Sequence, residues 1–250
     1  MTFFPIAGPA GPLTGLSTTD AGTNAMPMVL LHGIQGSARA WEEVLKRLPN
    51  RIPALAPNLR GRGGSVAPND PMAYTVDFFA DDLAAVLDAL ERPCLLVGWS
   101  MGVLVSFAYL RRYGQNRLGA LVLMSGTSQG NKCHWFSGEN AEEIAQEAEL
   151  RASRMALKES AAPVAAAGAW LSVTSTDFRS VLPGIAVPTL VIHGSADDQC
   201  PLDHGQLIAD TIPGAELALL DGGVHNILAQ DPDWVAEHLV RLHDSVTQLS

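Results

Sequence analysis

The chain has 250 residues, with 16 basic and 26 acidic side chains and a formal net charge of −10. Hydrophobic residues make up 47% of it and charged residues 17%, a composition that can bury a large core and that excludes a disordered or fibrous protein. The acidic balance, with no basic side chain before Arg39, argues against nucleic acid as a partner.

The apolar stretches are too short to cross a membrane. The longest, such as Gly102 to Leu110, fall far short of the roughly 20 residues that span a bilayer. The N-terminus lacks the charged start and apolar core of a secretory signal, so we expect a cytoplasmic protein unless a signal has been removed. The three cysteines lie far apart and form no CxxC pair, so we expect buried free thiols, with no metal site and no cofactor.

In chain order, short apolar strands alternate with helices, after a weak opening hairpin between residues 3 and 26. Such alternation is typical of parallel strands joined by crossover helices. The first helix has Ser37 in the N-cap position. The predicted strands are 28–31, 52–59, 94–97, 120–124, 189–192 and 216–220, and the predicted helices are 38–48, 77–90, 103–113, 203–212 and 233–246.

The alternation stops between residues 127 and 186. This segment contains alanine-rich, helix-favouring stretches at 141–159 and 163–172 and no convincing strand. We therefore predict a core made of residues 1–126 and 187–250, interrupted by a helical cap at 127–186.

Ser100 occupies the turn between a predicted strand and the helix that follows it, in the sequence Gly-Trp-Ser-Met-Gly. A GxSxG match alone is weak, and an ordinary turn serine is the alternative. The position between a strand and a helix favours a nucleophile, because such a turn projects the hydroxyl out of the sheet. It also places the hydroxyl at a helix N-terminus, where backbone N–H groups can stabilise an oxyanion.

A serine nucleophile needs a base that is itself oriented by a carboxylate. His225 and Asp197 lie in the loops that follow the last two predicted strands, at the sheet edge where ligands collect in open α/β sheets. Asp198 is the alternative acid, since only spacing separates it from its neighbour. Other histidines compete for the role of base, although none lies in the loop after the last strand: His193, His204, His238 and His243.

Five pieces of the sequence form a recognisable set: His32 to Gly36, Leu59 to Ser65, Gly98 to Gly102, Gly194 to Pro201 and Gly223 to His225. Together they resemble the α/β-hydrolase superfamily over essentially the whole chain. The resemblance implies a mostly parallel eight-stranded sheet with helices on both faces, an inserted small helical cap, and the chain order Ser100, Asp197, His225 for nucleophile, acid and base. It also implies an oxyanion hole formed by the backbone N–H groups of Ile34 and Met101. The chain departs from the family pattern at Asn58, where relatives often have Asp. In the family that residue has a structural role, so the departure does not affect the predicted catalytic residues.

The predicted reaction is hydrolysis of a carboxylic ester, lactone or thioester through an acyl-enzyme. C–C bond hydrolysis, acyl transfer and perhydrolysis are alternatives with the same residues, and a non-catalytic binding scaffold is an alternative of another class.

Trp99, Trp135 and Trp170 are expected to line a pocket for a small, largely apolar acyl substrate. The basic residues of the cap are expected to form a solvated helix face, the alternative being a site for a carboxylate or a carrier phosphopantetheine: Lys132, Arg151, Arg154 and Lys158.

Overall fold

The computed structural model describes residues 5–18, 25–154 and 159–248, together with the backbone of residues 2 and 3. In this part of the chain, strands form one eight-stranded sheet and one two-stranded hairpin. The strands are β1 (Thr2–Phe3), β2 (Ile6–Gly8), β3 (Gly11–Leu13), β4 (Gly15–Ser17), β5 (Met28–Leu31), β6 (Ala54–Pro57), β7 (Cys94–Trp99), β8 (Leu118–Met124), β9 (Thr189–Gly194) and β10 (Glu216–Leu220).

The large sheet has the strand order β1-β4-β6-β5-β7-β8-β9-β10. The six strands from β6 to β10 in this order run parallel, and β1 and β4 add an antiparallel edge. This confirms the predicted mostly parallel, eight-stranded sheet. The weak opening hairpin is predicted from apolar pieces around Phe4 and Leu16. In the structure Leu16 lies in β4 of the large sheet, opposite Phe3 of β1, and the small two-stranded sheet is formed by β2 and β3 between them. Phe4 lies outside the described residues.

Helices connect the parallel strands. The first connection begins with a 3-10 turn at Ala38–Trp41, and the Ser37 side chain accepts a hydrogen bond from the Arg39 N–H, as expected of an N-cap. None of the described helices is long and apolar enough to cross a membrane. The helices are α1 (Glu42–Leu45), α2 (Val76–Ala89), α3 (Met101–Tyr113), α4 (Ala141–Arg154), α5 (Pro163–Val173), α6 (Leu202–Thr211), α7 (Ile227–Gln230) and α8 (Pro232–Thr247).

Successive side chains of the central strands enter two different buried clusters, one on each face of the sheet. In β5, Val29 and Leu31 belong to the cluster that includes α2, α3 and α6, whereas Met28 and Leu30 belong to the cluster that includes α1, α7 and α8. Strands buried on both faces are continuous apolar runs, which is why the sequence shows no polar alternation there. Helices therefore cover both faces, as predicted.

The described part of segment 127–186 is helical and contains no strand, with α4 and α5 as its main elements. The predicted helix 141–159 ends at Arg154, and residues 155–158 lie outside the described residues. The backbone N–H of Ala161 donates to the Gln35 carbonyl and that of Ala162 to the Gly61 carbonyl, so the segment is bonded to the loops after β5 and β6. The buried side chains of this segment belong to the same cluster as those of α2 and α3. That the segment is a cap distinct from the core stays a prediction.

A buried ion pair fixes the loop after β6 to α2. The guanidinium of Arg60 binds both carboxylate oxygens of Asp82, at 2.9 and 2.7 Å, and the backbone N–H of Arg60 donates to the same carboxylate at 3.0 Å. The two side chains are 5% and 0% exposed. Loss of one partner would leave the other charge buried and uncompensated, which is costly.

We predict that Asp82→Asn lowers the free energy of unfolding by about 3 to 5 kcal/mol, because it leaves the Arg60 charge buried without its partner. Urea denaturation followed by circular dichroism measures the change. The control is Asp88→Asn on the same helix, whose carboxylate is 71% exposed and pairs with Arg117 at 3.1 Å; an exposed pair contributes at most about 1 kcal/mol. Equal effects of the two substitutions would contradict the prediction.

Candidate active site

Ser100 lies in a strained turn between β7 and α3. Its backbone has φ 56° and ψ −117°, a left-handed conformation that side-chain-bearing residues rarely adopt and that costs about 1 to 3 kcal/mol. The turn is tight enough that a Cβ on Gly98 would lie 2.5 Å from the carbonyl oxygen of Gly102, and a Cβ on Gly102 would lie 2.8 Å from that of Leu31. Both glycines are therefore required by close backbone packing around the turn.

His225, in the loop after β10, lies between Ser100 and Asp197. Its Nε2 is 2.9 Å from Ser100 Oγ, and its Nδ1 is 3.0 Å from each carboxylate oxygen of Asp197. Carboxylate oxygens only accept hydrogen bonds, so Nδ1 carries the proton in the neutral ring and Nε2 is left to accept from the serine hydroxyl. The three residues singled out in the sequence are thus brought into one hydrogen-bonded chain.

The Asp197 carboxylate is completely buried and satisfied by backbone donors. Its Oδ1 accepts from the N–H groups of Gln199 at 3.0 Å and Cys200 at 2.9 Å. Burial opposes ionisation, but these bonds and the one to His225 bring the pKa of Asp197 below its usual value. The alternative acid, Asp198, is exposed at the cleft and has no hydrogen bond to His225. The structure therefore places Asp197, and not its neighbour, beside the imidazole.

His193, one of the competing histidines, lies behind the carboxylate. Its Nε2 donates to the Cys200 carbonyl at 2.7 Å and is 3.7 Å from Asp197 Oδ2, and burial lowers its pKa. The pKa of the Cys200 thiol is raised by the adjacent Cys133 thiol and by burial, so Cys200 is neutral beside the acid. All three cysteines are free and buried, as predicted.

The loop after β5 is held by His32. Its Nδ1 is 2.8 Å from the Gly33 carbonyl oxygen, and its Nε2 is 3.3 Å from the backbone N of Leu59, which can only donate. Nε2 is therefore unprotonated, and Nδ1–H donates to Gly33. Burial and the Arg62 charge lower the pKa of His32 to about 3, so the ring is neutral. In a trans peptide the carbonyl and the N–H point in opposite directions, so this bond also fixes the direction of the Ile34 N–H.

A buried arginine holds the next peptide of the same loop. Arg62 donates to the Ile34 carbonyl at 2.8 Å and to the Arg60 carbonyl at 3.0 Å, and burial lowers its pKa to about 10. Within the described part of the chain, the backbone N–H groups of Ile34 and Met101 have no hydrogen-bond partner. Met101 is the first residue of α3, where backbone donors and the helix dipole favour a negative charge.

The site opens on one cleft of about 480 Å³. Ser100, His225 and Ile34 line it, and so do the predicted Trp99 and Trp135, whose indole N–H groups donate to the His225 and Gln199 carbonyls at 3.1 Å each. Trp170 is not among the lining residues. It packs behind Trp135, with ring centroids 5.6 Å apart, because α5 brings it to the buried side of that ring.

Several cleft residues have no signal in the sequence. Gln35 donates to the Ala148 carbonyl of α4 at 2.8 Å, and Gln199 lines the cleft beside Asp198. Arg151 was expected on a solvated helix face, but it is half-buried and lines the cleft, whereas Lys132 and Arg154 are exposed as expected and Lys158 lies outside the described residues. These positions depend on how the segment 127–186 packs on the loops, which no local pattern encodes. Among the described residues, no group of three or more His, Cys, Asp or Glu side chains is placed to hold a metal ion.

Comparison with known proteins gives one consistent family. A family model described as "alpha/beta hydrolase fold" matches residues 26–150. A Synechocystis sp. protein named "Putative non-heme chloroperoxidase" is 32% identical over 236 residues, which cover 80% of this chain and 85% of the relative. The pimeloyl-[acyl-carrier protein] methyl ester esterase of Aromatoleum aromaticum is 25% identical, covering 84% of this chain and 95% of its own. A thermophilic esterase structure from Thermogutta terrifontis shares the fold, with a TM-score of 0.80 at 24% identity over 98% of this chain and 99% of that one.

We predict that His32 makes the protein less stable in acid. The folded-state pKa of His32 is lowered to about 3, so between about pH 6.5 and pH 3 the unfolded chain binds a proton at this residue and the folded chain does not. The free energy of unfolding therefore falls as the pH drops through this range. Between pH 7 and pH 5 this residue should cost about 2 kcal/mol. Urea denaturation of the wild type and His32→Gln at both pH values should show a loss smaller by that amount in the variant.

The control is His134→Gln, which removes an exposed imidazole and should leave the wild-type pH dependence in place. An NMR titration of the His32 ring in the wild type gives a direct readout and should find it neutral at pH 5. A ring that is charged at that pH would contradict the assignment.

Proposed function

The chain belongs to the α/β-hydrolase family and is a hydrolase, and we propose that it cleaves a carboxylic ester, or a related lactone or thioester, through an acyl-enzyme. The observation that carries the proposal is the hydrogen-bonded chain from Asp197 through His225 to Ser100, which opens on the cleft. The relative named as a methyl ester esterase and the esterase sharing the fold support an ester as substrate.

In the proposed first step, Ser100 Oγ attacks the ester carbonyl while His225 Nε2 takes the hydroxyl proton. The imidazolium then protonates the leaving alcohol, and the acyl group stays on the serine. Water attacks the acyl-enzyme in the second step, with His225 again accepting and returning a proton. Asp197 would stabilise the imidazolium, and its lowered pKa keeps it ionised for that purpose.

We propose that the N–H groups of Ile34 and Met101 stabilise the tetrahedral oxyanion. Their lack of a partner within the described residues supports this role, because an unpaired N–H is available to a ligand. His32 would act as a positioning residue, since it holds the peptide that carries the Ile34 N–H. Donors fixed in advance need no reorganisation when charge develops, and each typically contributes about 10²- to 10³-fold to kcat.

The cleft is suited to a small acyl substrate. Its volume of about 480 Å³ lies in the usual range for small-molecule sites, and Trp99, Trp135 and Leu228 give it apolar walls. We propose that segment 127–186 covers the site as a cap, which its bonds to Gln35 and Gly61 support.

Perhydrolysis is a second candidate, because the relative at 32% identity carries the name of a chloroperoxidase, an activity that uses peroxide. Hydrogen peroxide would attack the same acyl-enzyme in place of water and release a peracid. C–C bond hydrolysis and acyl transfer would use the same residues, but no feature of the described residues favours them.

We expect Ser100→Ala to lower kcat/KM by about 10³-fold or more, since it removes the proposed nucleophile. Turnover of p-nitrophenyl acetate and butyrate, followed by a panel of short esters, lactones and thioesters, measures the loss. The control is Ser106→Ala, which removes a buried hydroxyl from α3. Among the described residues that hydroxyl bonds only the Gly102 carbonyl, so the variant should keep wild-type turnover. Equal turnover by wild type and Ser100→Ala, or an inert wild type across the panel, would sink the proposal.

A further inference from the structure

Two arginines line the cleft, Arg39 and Arg151. Arg39 forms ion pairs with Glu42 at 3.6 Å and Glu159 at 3.8 Å, so its charge is compensated by the protein. Arg151 extends from α4 and is half-buried in the cleft, with its guanidinium 4.7 Å from the centre of the Phe136 ring. It donates to the Trp135 carbonyl, and its Nη2 is 3.5 Å from Gln199 Oε1. The carbonyl and the amide hold the side chain in place, but neither carries a charge.

No acidic side chain in the described ranges comes within 4 Å of this guanidinium. Glu147, one turn earlier on α4, instead accepts hydrogen bonds from the N–H groups of Ser137 and Gly138. Burial lowers the pKa of Arg151, yet an arginine stays protonated in proteins. The Glu147 charge opposes that pKa shift from a distance, but it forms no direct ion pair with the guanidinium. A half-buried charge without a direct ion pair is costly, and an anionic ligand would relieve that cost.

We propose that Arg151 is a specificity-determining residue that binds a carboxylate at the end of the acyl substrate remote from the ester. The substrate class would be monoesters of dicarboxylic acids, in which apolar methylenes lie against the tryptophans and the distal carboxylate pairs with the guanidinium. The inference rests on the proposed ester hydrolysis, and it narrows the expected largely apolar substrate to one with a single charged end.

A carboxylate fits this cleft better than a phosphate. The planar guanidinium fork can bind either group through two parallel hydrogen bonds. However, Asp198 also lines the cleft, and its negative charge disfavours a doubly charged phosphate more than a singly charged carboxylate. The other acidic lining residue, Glu43, is already paired with Lys46 and Arg47.

Matched ester pairs of equal chain length test the proposal. The pairs are monomethyl adipate with methyl hexanoate and monomethyl suberate with methyl octanoate, and the measured quantity is the ratio of kcat/KM within each pair. In the wild type the carboxylate ester should be preferred by at least about tenfold in one pair. Arg151→Gln should abolish that preference. Arg154→Gln, which removes an exposed arginine less than one turn further along α4, should keep it.

Binding is measured separately so that the two proposals can fail independently. Calorimetric titration with the intact esters is done on the Ser100→Ala variant and on the double variant that also carries Arg151→Gln. It gives the ratio of dissociation constants within each ester pair. This measurement does not require that the wild type turns over any ester. An Arg151-dependent preference supports the carboxylate site. The absence of any preference, or one that Arg151→Gln leaves unchanged, overturns it. If the wild type turns over no ester but the Arg151-dependent binding preference is found, only the proposed ester hydrolysis is rejected.

Discussion

The left-handed backbone turn at Ser100 is the constraint on which the rest of the site depends. A turn this tight brings β7, α3 and the end of β5 into contact, so that Gly98 and Gly102 have no room for a side chain. In return the serine hydroxyl stands at the carboxyl end of the parallel strands, where the loops after β9 and β10 deliver Asp197 and His225. The packing of both sheet faces stabilises the strained backbone, and the loops converge on it.

Protonation states around the serine are fixed by burial combined with directed hydrogen bonds. His32 is neutral because it is buried beside Arg62, and its tautomer is set by the Leu59 N–H. Asp197 is buried as well, but it remains ionised because its oxygens accept from two backbone N–H groups and from His225. The same burial thus neutralises one group and not the other, and hydrogen bonding to the charged form makes the difference.

Much of this arrangement could be predicted from the sequence, since strand ends in a parallel sheet share an edge. Ser100, Asp197 and His225 each directly follow an apolar run or lie in the loop after one, which is a local signal. The choice of Asp197 over Asp198 rested on spacing alone, and burial now separates the two. Trp170 and Arg151 could not be placed correctly, because their positions depend on how α4 and α5 pack on distant loops. The packing of α4 is what brings the Arg151 charge into the cleft.

The most direct test of the central claim is covalent labelling with a fluorophosphonate, which reacts with activated serines. Intact-mass and peptide mass spectrometry should find one adduct per chain, on Ser100, and His225→Gln should label far more slowly because the hydroxyl has lost its base. A label on any other residue, or none under conditions where the reagent enters the cleft, would contradict the account.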